Sequence, residues 1–250
     1  MKFTVMDMPC KNGENKIFGE LFLPDGYKCK LPVVILSHGY NSSYSHVRDI
    51  ANCLAEKGMA AYCYDFCGGS LISKSEGKTT DMSIDTEISD LKNVIAMISG
   101  SSFADMEKIY LYGESQGGFV SALTAAQMAD SIAGMALLYP AFCIPDNWLS
   151  EELLKRNEPF DYMGMKLSRK FREGLPEYDV FKAVSAFKKP VLLLHGDNDK
   201  LVDISYSEKL CSVLEKCRFE IFENEGHGFS AGARKRMREM TADFFVRLAL

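Results

Sequence analysis

From Phe3 to Leu23 polar and apolar residues alternate in two short runs separated by the polar stretch Lys11 to Asn15, which predicts an antiparallel hairpin with that stretch as its turn. The pattern changes at Pro32-Val-Val-Ile-Leu36. An unbroken aliphatic run has no polar face, so it predicts a strand covered on both sides and the start of a parallel sheet. Helical spacing and short apolar runs then take turns. Val47, Ile50, Ala51, Leu54 and Ala55 fall on one helix face, which Gly58 ends. Met59 to Phe66 reads as a strand, and Ile84, Ile88, Leu91, Val94, Ile95 and Ile98 mark a second amphipathic helix. Ile109 to Tyr112 is a strand, Ser115 to Ala129 a helix apolar on most sides, and Ile132 to Tyr139 a strand. Further on, Pro190 to His195 and Arg218 to Phe222 read as strands and Ser205 to Leu214 as a helix. A last helix begins near Ala231 and buries Ala233, Met237, Met240, Phe244, Phe245 and Leu248. Such steady alternation implies right-handed crossovers onto one parallel sheet, an α/β class protein.

The alternation pauses between residues 144 and 178, which divides the chain into a core of 1–143, an inserted cap of 144–178 and a second core segment of 179–250. Within the cap, Trp148, Leu149, Leu153 and Leu154 fit one helix face, and Met163, Met165 and Leu167 alternate as in a short strand. A surface excursion packed on the body is the alternative.

Composition narrows the picture. With 250 residues, 47% of them hydrophobic, the chain suits one large core. Against 29 basic residues stand 34 acidic ones, a formal charge of -5, which disfavours nucleic acid and anionic membrane surfaces as partners. The basic residues Arg234, Lys235, Arg236 and Arg238 read as a solvated helix face. Met1 to Ile17 lacks the pattern of a secretion signal, and no apolar run approaches the ~20 residues of a membrane span, so a soluble, cytoplasmic protein is expected, monomer or homodimer. Eight scattered cysteines, without a signal peptide, predict reduced thiols. Cys63 and Cys67 could be half of a metal site, but no pair elsewhere completes it, so neither metal nor cofactor is expected.

The most specific chemistry lies in Gly113-Glu114-Ser115-Gln116-Gly117, a GxSxG match between a predicted strand and a predicted helix. So tight a turn needs neighbours without side chains and sets the serine hydroxyl at a helix N-terminus, where developing negative charge is favoured. A serine hydroxyl needs a base, and of four histidines only His227 stands late in the chain on a glycine-flanked loop, in Glu225-Gly226-His227-Gly228. An acid should lie between the two in sequence, on a loop after a strand. Asp197, Asp199 and Asp203 all qualify, and spacing does not choose among them. Acyl transfer also needs two N–H donors for an oxyanion. The residue after the serine, Gln116, offers one, and the loop Ser37-His38-Gly39-Tyr40 offers the other at Tyr40, with Gly39 allowing close approach and His38 bracing the loop. The glycine-rich stretch Asp65 to Ser70 is expected to shape the floor of the site.

Together these segments resemble the bacterial α/β-hydrolases grouped with cinnamoyl and feruloyl esterases and with monoacylglycerol-lipase-like enzymes. His38-Gly39-Tyr40 looks like their oxyanion motif, Gly113 to Gly117 like their nucleophile elbow, His195-Gly196 through Asp199 like their HGxxD acid motif, and Gly226-His227 like their GxH loop. Tyr64-Asp65-Phe66 with Gly68, Gly69 and Ser70 is similar to another family segment, with Gly69 where many members have histidine. The resemblance implies a mostly parallel twisted sheet of about eight strands flanked by helices, and it favours Asp199 as the acid. It implies a serine esterase acting through an acyl-enzyme on a small to medium ester, hydroxycinnamoyl or short acyl. Acylglycerol, amide or oligopeptide hydrolysis by the same residues, and a non-catalytic ligand-binding module, are the alternatives. His38, Trp148, Tyr162, Met163 and Met165 are the candidate pocket residues; Asp146, Tyr162 and Tyr178 are the candidate partners for a phenol.

Overall fold

The computed structural model describes residues 1–148, 158–175 and 177–250. Its twelve strands are β1 (Phe3–Asp7), β2 (Cys10–Asn12), β3 (Asn15–Ile17), β4 (Gly19–Pro24), β5 (Leu31–Ser37), β6 (Ala60–Tyr64), β7 (Ala104–Glu114), β8 (Gly134–Leu138), β9 (Phe160–Tyr162), β10 (Met165–Leu167), β11 (Val191–Gly196) and β12 (Cys217–Phe222). Eight of them form one sheet in the order β1-β4-β6-β5-β7-β8-β11-β12. β1 and β4 enter antiparallel, and every pairing from β6 to β12 is parallel. The tip of the N-terminal hairpin peels off as the separate pair β2-β3, so one predicted hairpin is built from four strands.

Why the central strands are apolar throughout is visible in where alternate residues go. Val33 and Ile35 of β5 belong to one core cluster, while Val34 and Leu36 belong to the cluster on the opposite face. On the first face lie α2 (Ile84–Ser99), α3 (Gln116–Gln127), α6 (Val180–Val184) and α7 (Ser205–Val213); on the second lie α1 (Arg48–Glu56) and α8 (Ala231–Ala249). Ser83 starts α2 with a reciprocal capping box to Thr86, satisfying two otherwise orphaned groups. β7 starts earlier than its apolar run because Asp105, Met106, Glu107 and Lys108 extend it as a partly exposed stretch.

Residues 144–175 contribute α4 (Ile144–Trp148), the hairpin β9-β10 and α5 (Lys170–Glu173) to the first face. Trp148 is buried there, 4.6 Å from the ring of Tyr162 and 4.4 Å from that of Phe171. Leu149, Leu153 and Leu154 of the predicted helix face lie outside the described residues. Met163 is not in a strand. It holds a positive φ of 44° in the turn with Gly164, which joins β9 to β10. The thiols also differ from expectation: Cys211 and Cys217 form a disulfide joining the end of α7 to the start of β12, while the other six cysteines are free. Among the described residues, no helix is long and apolar enough to cross a membrane.

Candidate active site

β7 ends at Glu114 and α3 begins at Gln116, leaving Ser115 alone at the junction with φ 52° and ψ -119°. Such a conformation costs a non-glycine residue about 1–3 kcal/mol. Its neighbours leave no room for side chains: a Cβ at Gly113 would stand 2.3 Å from the Gly117 carbonyl oxygen, and one at Gly117 would stand 2.2 Å from that of His38. Gly39 passes so close that a Cβ there would be 3.2 Å from Ser115 Cβ. Strand, helix and the loop after β5 therefore converge on one hydroxyl.

That hydroxyl is 2.9 Å from His227 Nε2, and His227 Nδ1 is 2.7 Å from Asp199 Oδ2. Asp199 Oδ1 accepts the backbone N–H groups of Leu201 (2.8 Å) and Val202 (3.0 Å), which turns the carboxylate inward. Of the other two candidates, Asp197 accepts the Asn224 N–H and Asp203 the Ser205 N–H, each on an exposed turn. Burial pushes Asp199 toward higher pKa, but hydrogen bonds from His195, His227 and Val202 outweigh it and hold the carboxyl well below the ordinary aspartate range. Asp199 is therefore an anion that accepts a hydrogen from His227 Nδ1, leaving Nε2 as the acceptor facing Ser115.

A cavity of about 400 Å³ opens over Ser115. Ala141, Ile144, Trp148, Tyr162, Met163 and Phe171 give it an apolar, largely aromatic wall, and His46, Glu114 and Lys200 supply charge. Tyr40 and Gln116 also line it, and among the described residues neither backbone N–H has a hydrogen-bond acceptor. Tyr40 is held from its other end, since its hydroxyl donates to the Tyr162 carbonyl oxygen at 2.7 Å.

Two expected pocket residues lie elsewhere. His38 is 1% exposed and donates from Nδ1 to the Gly39 carbonyl, so Nε2 accepts the Phe66 N–H; burial pushes its pKa down, and the neutral ring braces the loop without reaching the cavity. Met165 is fully buried in the core because it follows the β9-β10 turn on the inward face. Asp146 accepts the Tyr206 hydroxyl, and Tyr178 is half exposed; neither lines the cavity. The 65–70 stretch is likewise absent from the lining, because Asp65 is spent on the backbone N–H groups of Tyr44 and Lys74.

Two buried clusters around the elbow are not foreseen by motif. Glu114, 2% exposed, accepts the Tyr112 hydroxyl and pairs with Arg234 (3.1 Å) and His46 (3.2 Å), while Arg234 also pairs with Asp49. Burial would push Glu114 up, yet His46 and Arg234 together hold it below its ordinary value. Arg234 is thus no member of a solvated face; it stands one turn before Met237 on the stripe that continues through Thr241 and Phe245, and that spacing was the available clue. Beneath the elbow, the Gln116 side chain donates to Glu87, also fully buried, at 2.8 Å.

Comparison with known proteins agrees with this fold. The structure is similar to ferulic-acid-bound Est1E from Butyrivibrio proteoclasticus, with a TM-score of 0.86, 26% identity and coverage of 96% of this chain and 98% of that one. It shares its fold with dienelactone hydrolase from Anabaena variabilis, with a TM-score of 0.72, 19% identity and 99% coverage of both chains. In sequence it is 18% identical to human monoacylglycerol lipase ABHD6 over 261 aligned positions, 86% of this chain and 75% of the relative. The family model described as serine aminopeptidase, S33, matches residues 29–173, a span that contains Ser115 but neither Asp199 nor His227. More than half of the chain falls within that match, and the protein belongs to this family of α/β-hydrolases.

Proposed function

We propose that the protein is a serine carboxylic-ester hydrolase working through an acyl-enzyme. The observation that carries the reading is the continuous hydrogen-bond path from Ser115 Oγ through His227 to Asp199 at the floor of an apolar cavity. Ser115 Oγ attacks the ester carbonyl carbon while its proton passes to His227 Nε2, and Asp199 stabilises the resulting imidazolium. The negative charge on the former carbonyl oxygen is met by the free N–H groups of Tyr40 and Gln116; one such donor is worth ~2.7–4 kcal/mol. Collapse breaks the bond to the alkoxy oxygen, which leaves as an alcohol with the proton from His227. Water then repeats the sequence, releasing the acid and restoring Ser115.

The wall supports a reading of the substrate class. Aromatic and thioether side chains around about 400 Å³ suit an acyl group of moderate size, hydroxycinnamoyl or short aliphatic, and residues 144–178, as an inserted cap, supply Ile144, Trp148, Tyr162, Met163 and Phe171 to it. The likeness to a ferulic-acid-bound esterase supports the first choice, and that to a monoacylglycerol lipase supports an acylglycerol. The description of the matched family as aminopeptidase favours amide hydrolysis as a second reading.

Ser115→Ala tests the chemistry: rates on p-nitrophenyl butyrate should fall by at least about 10³-fold, and a variant with wild-type turnover removes the proposal. Matched ester and anilide substrates separate the two readings, since an amine leaving group demands more of the proton returned by His227.

A further inference from the structure

Asp199 Oδ2 faces two imidazoles, and only one of them reaches Ser115. The other belongs to His195, the last-but-one residue of β11, whose Nε2 is 3.2 Å from Asp199 Oδ2 and 3.0 Å from the Val202 carbonyl oxygen. A carbonyl oxygen and a carboxylate can only accept, so His195 Nε2 carries a hydrogen directed between them. At the far side of the ring, Nδ1 is 2.6 Å from the Ser207 hydroxyl; in the neutral ring Nδ1 is the acceptor, and Ser207 donates to it. His195 and Ser207 are both fully buried, so water does not replace either contact. The path thus extends beyond the acid: Ser207 on α7 orients His195, and His195 touches the same oxygen that His227 uses. Tyr139 packs on both imidazoles, its ring 4.3 Å from His227 and 6.4 Å from His195.

We infer that His195 is a positioning residue, whose Nε2–H holds the Asp199 carboxylate at the rotation that presents Oδ2 to His227. The inference rests on the ester-hydrolase reading above. Its physical basis is the division of donors between the two oxygens. Oδ1 is fixed by the Leu201 and Val202 amides, whereas among the described residues Oδ2 has only imidazole donors. Without His195, Oδ2 is held solely by the ring that must itself take up and return a proton, and acid and base can drift together away from Ser115. A displacement of about 1 Å at reacting atoms is enough to cost on the order of 10²-fold in rate.

The test is steady-state hydrolysis of p-nitrophenyl butyrate by the full chain, with melting curves to verify folding and Ser115→Ala as the control. His195→Leu, which keeps volume and removes the donor, is expected to lower kcat about 10- to 100-fold with KM changed less than about twofold. His195→Gln, whose side-chain amide reaches toward the position of Nε2, is expected to recover kcat to within about fivefold of wild type. Wild-type kcat in folded His195→Leu, or a loss that His195→Gln does not recover, overturns the inference. If His195→Leu does not fold, Ser207→Ala decides: kcat about three- to tenfold lower at unchanged KM is expected, and unchanged kcat overturns it. Failure of the broader reading looks different, because there Ser115→Ala itself stays active; an inactive Ser115→Ala beside a fully active His195→Leu removes the role of His195 alone.

Discussion

Asp199 and Glu87 are both buried carboxyls beside the elbow, and their surroundings drive them in opposite directions. Asp199 is surrounded by donors and stays charged, so Asp199→Asn, which favours the wrong tautomer of His227, is expected to lower kcat by about 10⁴-fold in the p-nitrophenyl butyrate assay. Asp197→Asn and Asp203→Asn, on exposed turns, should stay within about twofold of wild type. Among the described residues, no cation stands beside Glu87. Burial pushes its pKa up to about 8, with Asp90 adding to the rise and the Gln116 donor opposing it. An unfolded glutamate titrates near 4.3, so between about 4.3 and about 8 the folded state keeps a proton that the unfolded state releases, and stability falls as pH rises through that window. Glu87→Gln retains an acceptor for Gln116 and removes this dependence, so its melting temperature should gain on wild type from pH ~5 to pH ~8. A constant difference across that range refutes the assignment. Motif and chain order pointed to Ser115 and His227 because a nucleophile elbow and a glycine-flanked histidine loop are local features. The choice among Asp197, Asp199 and Asp203 was not local: it depends on which carboxylate faces His227, 28 positions away in sequence.

At the level of elements, the elbow is tied to α8 by charge. Glu114 belongs to the strand that delivers Ser115, and its permanently charged partner, Arg234, comes from a helix 120 positions away in sequence. Arg234→Ala leaves a buried carboxylate with only His46 and the Tyr112 hydroxyl, and should destabilise the fold by about 3 kcal/mol in urea denaturation. Glu114→Gln combined with Arg234→Met should cost less than the two single changes added together, because neither charge is then left alone. Additive losses show that the pair does not couple. Hydrophobic spacing found α1, α2 and α8 because each has enough turns to display a face, whereas α3 was legible as a helix apolar on most sides. The spacing placed Arg234 on the apolar stripe of α8, but the carboxylate that pairs with it lies 120 positions away and shows only in the fold.

Both faces of the sheet are covered, and the proposed chemistry stands at its edge, just past the carboxyl ends of β5, β7 and β11 where Tyr40, Ser115 and Asp199 follow. Alternate residues of β5 and β11 feed the two cores, which is why the central strands were legible as continuous apolar runs; in the 144–175 stretch the described elements have three to five residues, and the alternation of Met163, Met165 and Leu167 was too short to show that Met163 sits in a turn. That stretch couples stability to the site through Trp148, whose indole belongs to the first core and to the cavity wall at once. Trp148→Ala is therefore expected to destabilise the protein by about 3–5 kcal/mol and to raise KM for methyl hydroxycinnamates. Its effect on KM for p-nitrophenyl acetate should be smaller, because an acetyl group reaches only the atoms next to Ser115. Trp148→Phe, keeping a ring between Tyr162 and Phe171, should restore most of the stability and part of the aromatic preference. If KM rises equally for both esters while Ser115 still labels with a fluorophosphonate, Trp148 serves the core alone, and the acyl group lies elsewhere in the cavity.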